Sequence, residues 1–467
     1  MSQLPHLAEP IASSRSINPA TGQEIARYPW HTDGEIEARL AAAAKAFAIW
    51  RQTPIAQRVT VLAQLGAILK RDCGALAESI TLEMGKPMAR AKGEVLKCAA
   101  LCEWYAANAE RLLADELVDL GSDGNARVRY EPIGLVLGVM PWNFPLWQVL
   151  RAAVPVLVAG NGFLLKHADN VQGSALALEA AFAQTDAPKG LFANLNLYRS
   201  QLPKLISDPR LVGVSVTAGV AAGSAIAAEA GRNLKKSVLE LGGSDPFIVL
   251  ADADLDLAVP AAIEARFQNS GQVCIAGKRI ILEAPIAEAF TARFLDAASK
   301  LRVGDPLDPD VDLGPLARAR QRDELTAQVE RSVALGAKLL LGGNTPIGPG
   351  AFYPPTVLGN VTCDMPVFTE ETFGPVAALV IAADADDAIR LANTSNFGLS
   401  GSLWSRDVAR AQVLAERIET GGLFINKVAV SDPRVPIGGI KQSGYGRELS
   451  HFGIREFTNA KLIWASR

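Results

Sequence analysis

Leu135-Val136-Leu137-Gly138-Val139-Met140-Pro141-Trp142-Asn143-Phe144-Pro145 decides the fold. Its first six residues are apolar without polar alternation, which suits a strand covered on both faces. An apolar run with helical spacing, Trp147 to Val158, follows at once. The same strand-then-helix pattern repeats outward from it. Gly162 to Lys166, Leu191 to Leu197, Leu211 to Val216 and Ser237 to Leu241 read as strands. Val171 to Gln184 and Val220 to Gly231 read as helices between them. Such alternation predicts an α/β fold with a parallel sheet sandwiched by helices. A second alternating series runs from Pro246 to about Phe424, so two consecutive, closely docked α/β domains are expected.

The chain opens differently. Thr32-Asp33-Gly34-Glu35 has the form of a capping box ahead of an Ala-rich helix through Trp50. Helical stretches follow from Ile55 to Met84 and, past Gly85-Lys86-Pro87, to about Leu113. Cys98 and Cys102 share a face of the last one, and core packing explains them better than a metal, because no second ligand pair lies nearby. Ala126 to Glu131 and Lys461 to Trp464 alternate like exposed strands. Exposed strands need partners. Either another subunit covers them, which predicts a homodimer or homotetramer, or they pair with each other.

Composition narrows the function. A chain of 467 residues exceeds one hydrophobic core. The net charge of −3 gives no basic footprint for nucleic acid or an anionic membrane. Five cysteines, an odd number, fit a reducing compartment. Met1 to Arg15 has no signal-peptide pattern, and no apolar run approaches the roughly 20 residues of a membrane span. A cytoplasmic enzyme acting on a small molecule is expected, with neither nucleic acid nor membrane as partner and no metal.

Chemistry gathers around Gln268-Asn269-Ser270-Gly271-Gln272-Val273-Cys274. Small and polar residues crowd the thiol, and Lys278 and Arg279 follow, an electropositive setting that favours a thiolate. A buried core cysteine is an equal reading of this segment alone. Asn143, just past a strand, could donate to an oxyanion or merely cap the next helix. Glu240, at a strand end before Gly242 and Gly243, could serve as general base or be a surface charge before a turn. Nucleophile, donor and base at three strand ends make an acyl-transfer set.

PWNFP (141–145), ELGGSDP (240–246), GQVC (271–274), EETFGPV (370–376) and GGIKQSGYGRE (438–448) stand in this order. In that order they resemble the NAD(P)-dependent aldehyde dehydrogenase superfamily, from about Ser16 to the C-terminus. More narrowly, LCEWYA, NGFLLKHA, ELGGSDPFIVL and GRELSHFG are similar to bacterial succinate-semialdehyde dehydrogenases of the shorter type. The resemblance implies an aldehyde-dehydrogenase-like α/β fold in three parts. These are a Rossmann-like cofactor domain (1–114 and 133–242), an α/β catalytic domain (243–451) and a small β bridging domain for oligomerisation (115–132 and 452–467). It also implies that Cys274 attacks the aldehyde while Asn143 and the Cys274 N–H hold the oxyanion. Hydride then passes to the nicotinamide, and Glu240 activates water against the thioester.

For the cofactor, the resemblance implies contacts from Lys166, Glu371 and Phe373, with Trp142 beside them. The phosphate turn departs from the family's Thr-Gly-Ser: it reads Thr217-Ala218-Gly219, with Gly223 kept. Backbone N–H groups there could still bind pyrophosphate. Asp169 favours NAD by repelling a 2′-phosphate, with NADP possible. For the substrate, the resemblance assigns Arg151 to a distal carboxylate, helped by Gln268, Ser431 and Arg434, with Trp147 as an apolar wall. Arg151 could instead serve an ion pair at a domain interface. Succinate semialdehyde is the expected aldehyde, and glutarate semialdehyde or another aliphatic aldehyde the alternative. A catalytically silent binding relative would normally lack Cys274 or Glu240, a glutamyl-phosphate reductase would not need Glu240, and a redox-sensor protein would not need FGPV.

Overall fold

The computed structural model describes residues 13–346 and 348–466. Met1 to Ala12, Ile347 and Arg467 lie outside the described residues, and with them most of the stretch read as lacking a signal. Two large sheets carry the architecture. The first has six strands, and its parallel core runs in the order Lys236–Glu240, Leu211–Thr217, Leu135–Met140, Gly162–His167, Phe192–Asn194. The fold-deciding strand is the central one. Burial explains its composition: Leu135, Val136, Leu137 and Met140 are all buried.

The second sheet has seven strands, with Asp245–Val249, Gly277–Glu283 and Val376–Ala382 parallel and buried at its centre. One antiparallel edge strand, Lys338–Leu341, belongs to it. The α/β class is therefore observed, as two helix-covered, mostly parallel sheets. A return of the chain was not legible in the periodicity. Gly444–Tyr445 pairs antiparallel with Leu239 and Glu240, so the C-terminal region closes onto the edge of the first sheet.

Upstream, the Asp33–Trp50 helix has both halves of its capping box, Glu35 N–H to Thr32 Oγ1 and Thr32 N–H to Glu35 Oε2. The single stretch expected over 55–84 is two helices, Ile55–Arg71 and Cys73–Met84, broken at Asp72. Cys98 and Cys102 are free and fully buried in the core. The two exposed-looking strands pair with each other: Thr458–Ala465 runs antiparallel along Asn125–Pro132, and Glu116–Asp119 adds a third strand. Among the described residues no helix is long and apolar enough to cross a membrane, and no cluster of three or more metal-ligating side chains occurs.

Candidate active site

A cavity of about 370 Å³ opens where strand ends of the two sheets face each other. Trp142 and Asn143 reach it from the end of Leu135–Met140, Thr217 to Gly219 from Leu211–Thr217, and Leu241 and Gly242 from Lys236–Glu240. Cys274 meets them from the turn before Gly277–Glu283, and Glu371 and Phe373 from the loop before Val376–Ala382. Residues as distant in sequence as Trp142 and Phe373 thus converge on one space.

The backbone before Cys274 is unusual. Asn269, Ser270 and Gly271 all have positive φ, 51°, 54° and 73°. Such conformations cost energy for a side-chain-bearing residue and persist where surroundings enforce them. The surroundings do so here. Asn269 Nδ2 donates to Asn143 O at 2.9 Å, Ser270 Oγ donates to Gly314 O at 2.8 Å, and a Cβ on Gly271 would come within 2.3 Å of Gly374 O. The GQVC and FGPV segments are thereby packed backbone to backbone. Arg266, fully buried on the preceding helix, clamps the second segment by donating to Val376 O at 2.6 Å and Thr372 O at 3.1 Å, and to Gly374 O.

Cys274 is half-buried at the cavity. Burial pushes its thiol up to about 11, against the pull of Arg151 and Lys278. Lys278 Nζ donates to Cys274 O at 2.7 Å and pairs with Glu371 Oε1 at 3.2 Å. Asn143 Nδ2 donates to Gln272 O at 3.0 Å, which aims the amide at the loop that carries Cys274 and leaves its second N–H to give. The Asn143 carbonyl is held by Lys86 Nζ at 3.0 Å, and Lys86 is ion-paired with Glu94. Glu94 Oε1 also accepts from Leu146 N–H and Trp147 N–H, capping the helix that follows the catalytic loop. Sequence reasoning missed Lys86 and Glu94, although the Gly85-Lys86-Pro87 interruption was the available signal.

Glu240 is buried, and burial raises its carboxyl to about 7, against the pull of Arg151. Its oxygens make no well-formed hydrogen bond: the Gly439 N–H exerts only a minor pull on the carboxyl, and Arg151 Nη2 stops 3.6 Å from Oε2. The sequence reading assigns Arg151 to a substrate carboxylate, and here the structure differs. Arg151 is 1% exposed, ion-paired with Glu448, beside Glu240, and donates to Thr217 Oγ1 at 3.4 Å. Protein groups already surround its guanidinium, which does not line the cavity; Gln148, one turn earlier, does. Glu448 gets there because the Gly444–Tyr445 strand brings GYGRE beside Glu240.

The other nominated substrate residues divide. Trp147 and Ser431 come together, with Trp147 Nε1 donating to Ser431 Oγ at 2.9 Å and Lys97 Nζ donating to the same oxygen at 3.1 Å. Lys97 also lies 4.0 Å from the Trp147 ring centre, and burial lowers its pKa to about 8. Arg434 is turned outward in a two-pronged pair with Asp432. Gln268 is half-buried and not part of the cavity wall.

The cofactor-side residues fit a dinucleotide. The Val220–Arg232 helix begins at Gly219 without a side-chain cap, so its N-terminal N–H groups face the cavity at Thr217-Ala218-Gly219. A Cβ on Gly223 would strike Leu241 at 2.3 Å, whereas one on Gly219 would meet nothing within 4 Å. Glu371 Oε1 accepts from Gly243 N–H at 3.0 Å, and Phe373 packs edge-on against Trp142 with centroids 5.7 Å apart. Lys166 pairs with Asp169 at 2.7 Å at the end of its strand.

Known proteins agree with this geometry. Residues 8–463 match the aldehyde dehydrogenase family. The succinate semialdehyde dehydrogenase [NAD(P)+] Sad of Escherichia coli (strain K12) is 51% identical over 98% of this chain and 99% of its own. A succinate-semialdehyde dehydrogenase [NADP(+)] of Mycolicibacterium paratuberculosis is 48% identical over 97% and 96%. The crystal structure of the succinic semialdehyde dehydrogenase from Streptococcus pyogenes, in complex with NADP+, superposes with a TM-score of 0.95. It is 36% identical and covers 97% of this chain and all of that one. Near-full-length identity and a shared fold leave one conclusion: the chain belongs to the aldehyde dehydrogenase family.

Proposed function

We propose that this chain oxidises succinate semialdehyde to succinate with NAD or NADP, through a covalent thioester on Cys274. The convergence of Cys274, Asn143 and the uncapped 217–219 turn on one cavity carries the reading. Relatives named for this aldehyde, at 48–51% identity, support the substrate. The Cys274 sulfur attacks the carbonyl carbon as its proton passes through the Glu240 carboxylate to solvent water, which leaves Glu240 ionised for the later step. Asn143 Nδ2 and the Cys274 N–H donate to the oxyanion. The bound nicotinamide supplies the hydride acceptor that converts the thiohemiacetal to a thioester. Glu240, with a carboxyl near neutrality, then takes a proton from water; the hydroxyl joins the acyl carbon and the sulfur leaves.

We assign recognition of the distal carboxylate to Ser431 and Lys97, which meet at Trp147 and not in the wall of the cavity of about 370 Å³. Ser431 Oγ accepts from two donors, so its own O–H remains to donate, and Lys97 brings the positive charge. We assign residues 1–114 with 133–242 to cofactor binding, 243–451 to catalysis, and 115–132 with 452–467 to contact between subunits of a homo-oligomer in the cytoplasm. The direct experiment follows NAD(P)H at 340 nm with succinate semialdehyde, glutarate semialdehyde and butanal. Wild type should prefer succinate semialdehyde, and Cys274→Ala should be silent on all three. An equal rate for both proteins would overturn the covalent mechanism.

A further inference from the structure

A second, larger cavity of about 640 Å³ lies between the Ser13–Ile17 strand, the start of the Ala319–Ala334 helix and the Asp169-Asn170 turn. Its charged wall is Arg15, Arg318, Arg322 and Asp169, with Asn170 among its neutral polar residues. Asn170 is only 7% exposed. Its Oδ1 accepts from Arg318 Nη2 at 2.6 Å, and its Nδ2 has no acceptor. Because guanidinium can only donate, the amide cannot be flipped: the orphaned atom is a donor. Arg322 gives one N–H to Gly350 O at 3.1 Å and meets Asp323 Oδ1 with both Nε and Nη2 at 2.9 Å, which leaves the remaining N–H groups of Nη1 and Nη2. Asp169, the one carboxylate in this wall, is already paired with Lys166. Three guanidiniums and an amide donor without an acceptor line this cavity. Arg15 lies 3.8 Å from Glu24 and Arg322 is paired with Asp323 at 2.9 Å, so Arg318 and Asn170, with the remaining Arg322 N–H groups, are left to meet a ligand.

Asp169 ties this cavity to the cofactor. Desolvation around Arg318 lowers its pKa while the charge of Asp169 opposes the change, so the two groups sense each other. The resemblance to aldehyde dehydrogenases implies that Lys166 and Asp169 meet the adenosine ribose, whose 2′ position is the point at which NADP differs from NAD. A role for this cavity therefore rests on the dinucleotide-dependent function proposed above. Asp169 alone repels a phosphate there, yet relatives nearly half identical are named for NADP(+). We propose that the Asn170–Arg318 pair, with Arg322, receives the 2′-phosphate of NADP and offsets Asp169, so that the enzyme accepts both dinucleotides. A guanidinium fork suits a phosphomonoester dianion, and Asn170 fixes the fork's direction.

Titration calorimetry with adenosine 2′,5′-bisphosphate, 5′-AMP and inorganic phosphate tests this, because it needs no turnover. The bisphosphate should bind wild type at least about tenfold tighter than 5′-AMP, as expected for a charge-assisted contact. Arg318→Met should weaken the bisphosphate about tenfold more than 5′-AMP, and Asp169→Asn should tighten the bisphosphate. The NADP-to-NAD ratio of kcat/KM should fall in the first variant and rise in the second. Equal effects of Arg318→Met on both nucleotides would overturn the proposal. So would inorganic phosphate binding as tightly as the bisphosphate, which would mark a free-anion site. Loss of all aldehyde oxidation in wild type would instead sink the proposed function, and the nucleotide titrations would still decide this one.

Discussion

Arg151 shows how a correct residue type can serve a different partner. An arginine on the helix after the catalytic loop suits a substrate carboxylate, but two buried carboxylates of the protein, Glu448 and Glu240, lie against it. Arg151→Met should therefore cut kcat/KM about tenfold or more on succinate semialdehyde and butanal alike. It should also move the acid limb of the pH profile upward, since Arg151 holds the Glu240 carboxyl down. Lys97→Met should lose selectively on succinate semialdehyde; the opposite pattern in the two variants would return the substrate role to Arg151. Glu240 itself sets the pH dependence. With a carboxyl near 7, the proposed base ionises progressively through neutrality, so the hydrolytic step should rise through about pH 7. Glu240→Gln should flatten that rise and slow thioester release roughly 10²- to 10⁴-fold. Rapid-quench measurement of the acyl-enzyme checks this, and an unchanged profile would remove Glu240 as the base.

At the scale of elements, the site is a set of loops locked to one another by buried polar groups. His167, at the end of the Gly162–His167 strand, is fully buried. Its Nε2 lies 2.8 Å from Pro145 O and its Nδ1 3.2 Å from Met140 O and 3.0 Å from the Ala168 nitrogen, so the ring bridges the strand end to the PWNFP loop. Burial lowers its pKa to about 4. The sign follows directly: between pH 6.5 and 4 the unfolded chain binds a proton that the folded chain refuses. This contribution is present above about pH 6.5 and is lost as the pH falls, at about 1.4 kcal/mol per pH unit. Glu240 and Asp245, both raised to about 7 by burial, act in the opposite direction. A comparison with His167→Gln cancels them. The stability advantage of wild type over that variant, from denaturant unfolding, should shrink between pH 7 and pH 5; a constant difference would contradict a buried neutral imidazole.

At the scale of the molecule, the three-stranded sheet of Glu116–Asp119, Asn125–Pro132 and Thr458–Ala465 stands apart from the two large ones. Its strands pair with each other, yet Leu117, Leu462 and Trp464 remain 84%, 58% and 56% exposed. Exposed apolar side chains on a sheet with two outer edges suit burial against another copy of the chain. Light scattering at micromolar concentration should give a dimer or tetramer mass, and Leu117→Asp combined with Leu462→Asp should lower it. A monomer mass for wild type would refute the assembly.

What the sequence by itself determined is what local pattern controls. The apolar run at 135–140, the alternation around it and the capping box at Thr32 specify elements within a few residues of where they lie, because strand burial and helix capping depend on near neighbours. Ordered motifs likewise made Cys274, Asn143 and Glu240 legible as a set. Only the tertiary structure decided which groups face one another. The Gly444–Tyr445 return carries Glu448 to Arg151, Lys86 reaches the Asn143 carbonyl 57 residues away, and Arg318 reaches Asn170 across 148. Charge pairing acts through space, and a buried guanidinium takes whichever carboxylate the packing delivers, so its partner cannot be read from the residues beside it.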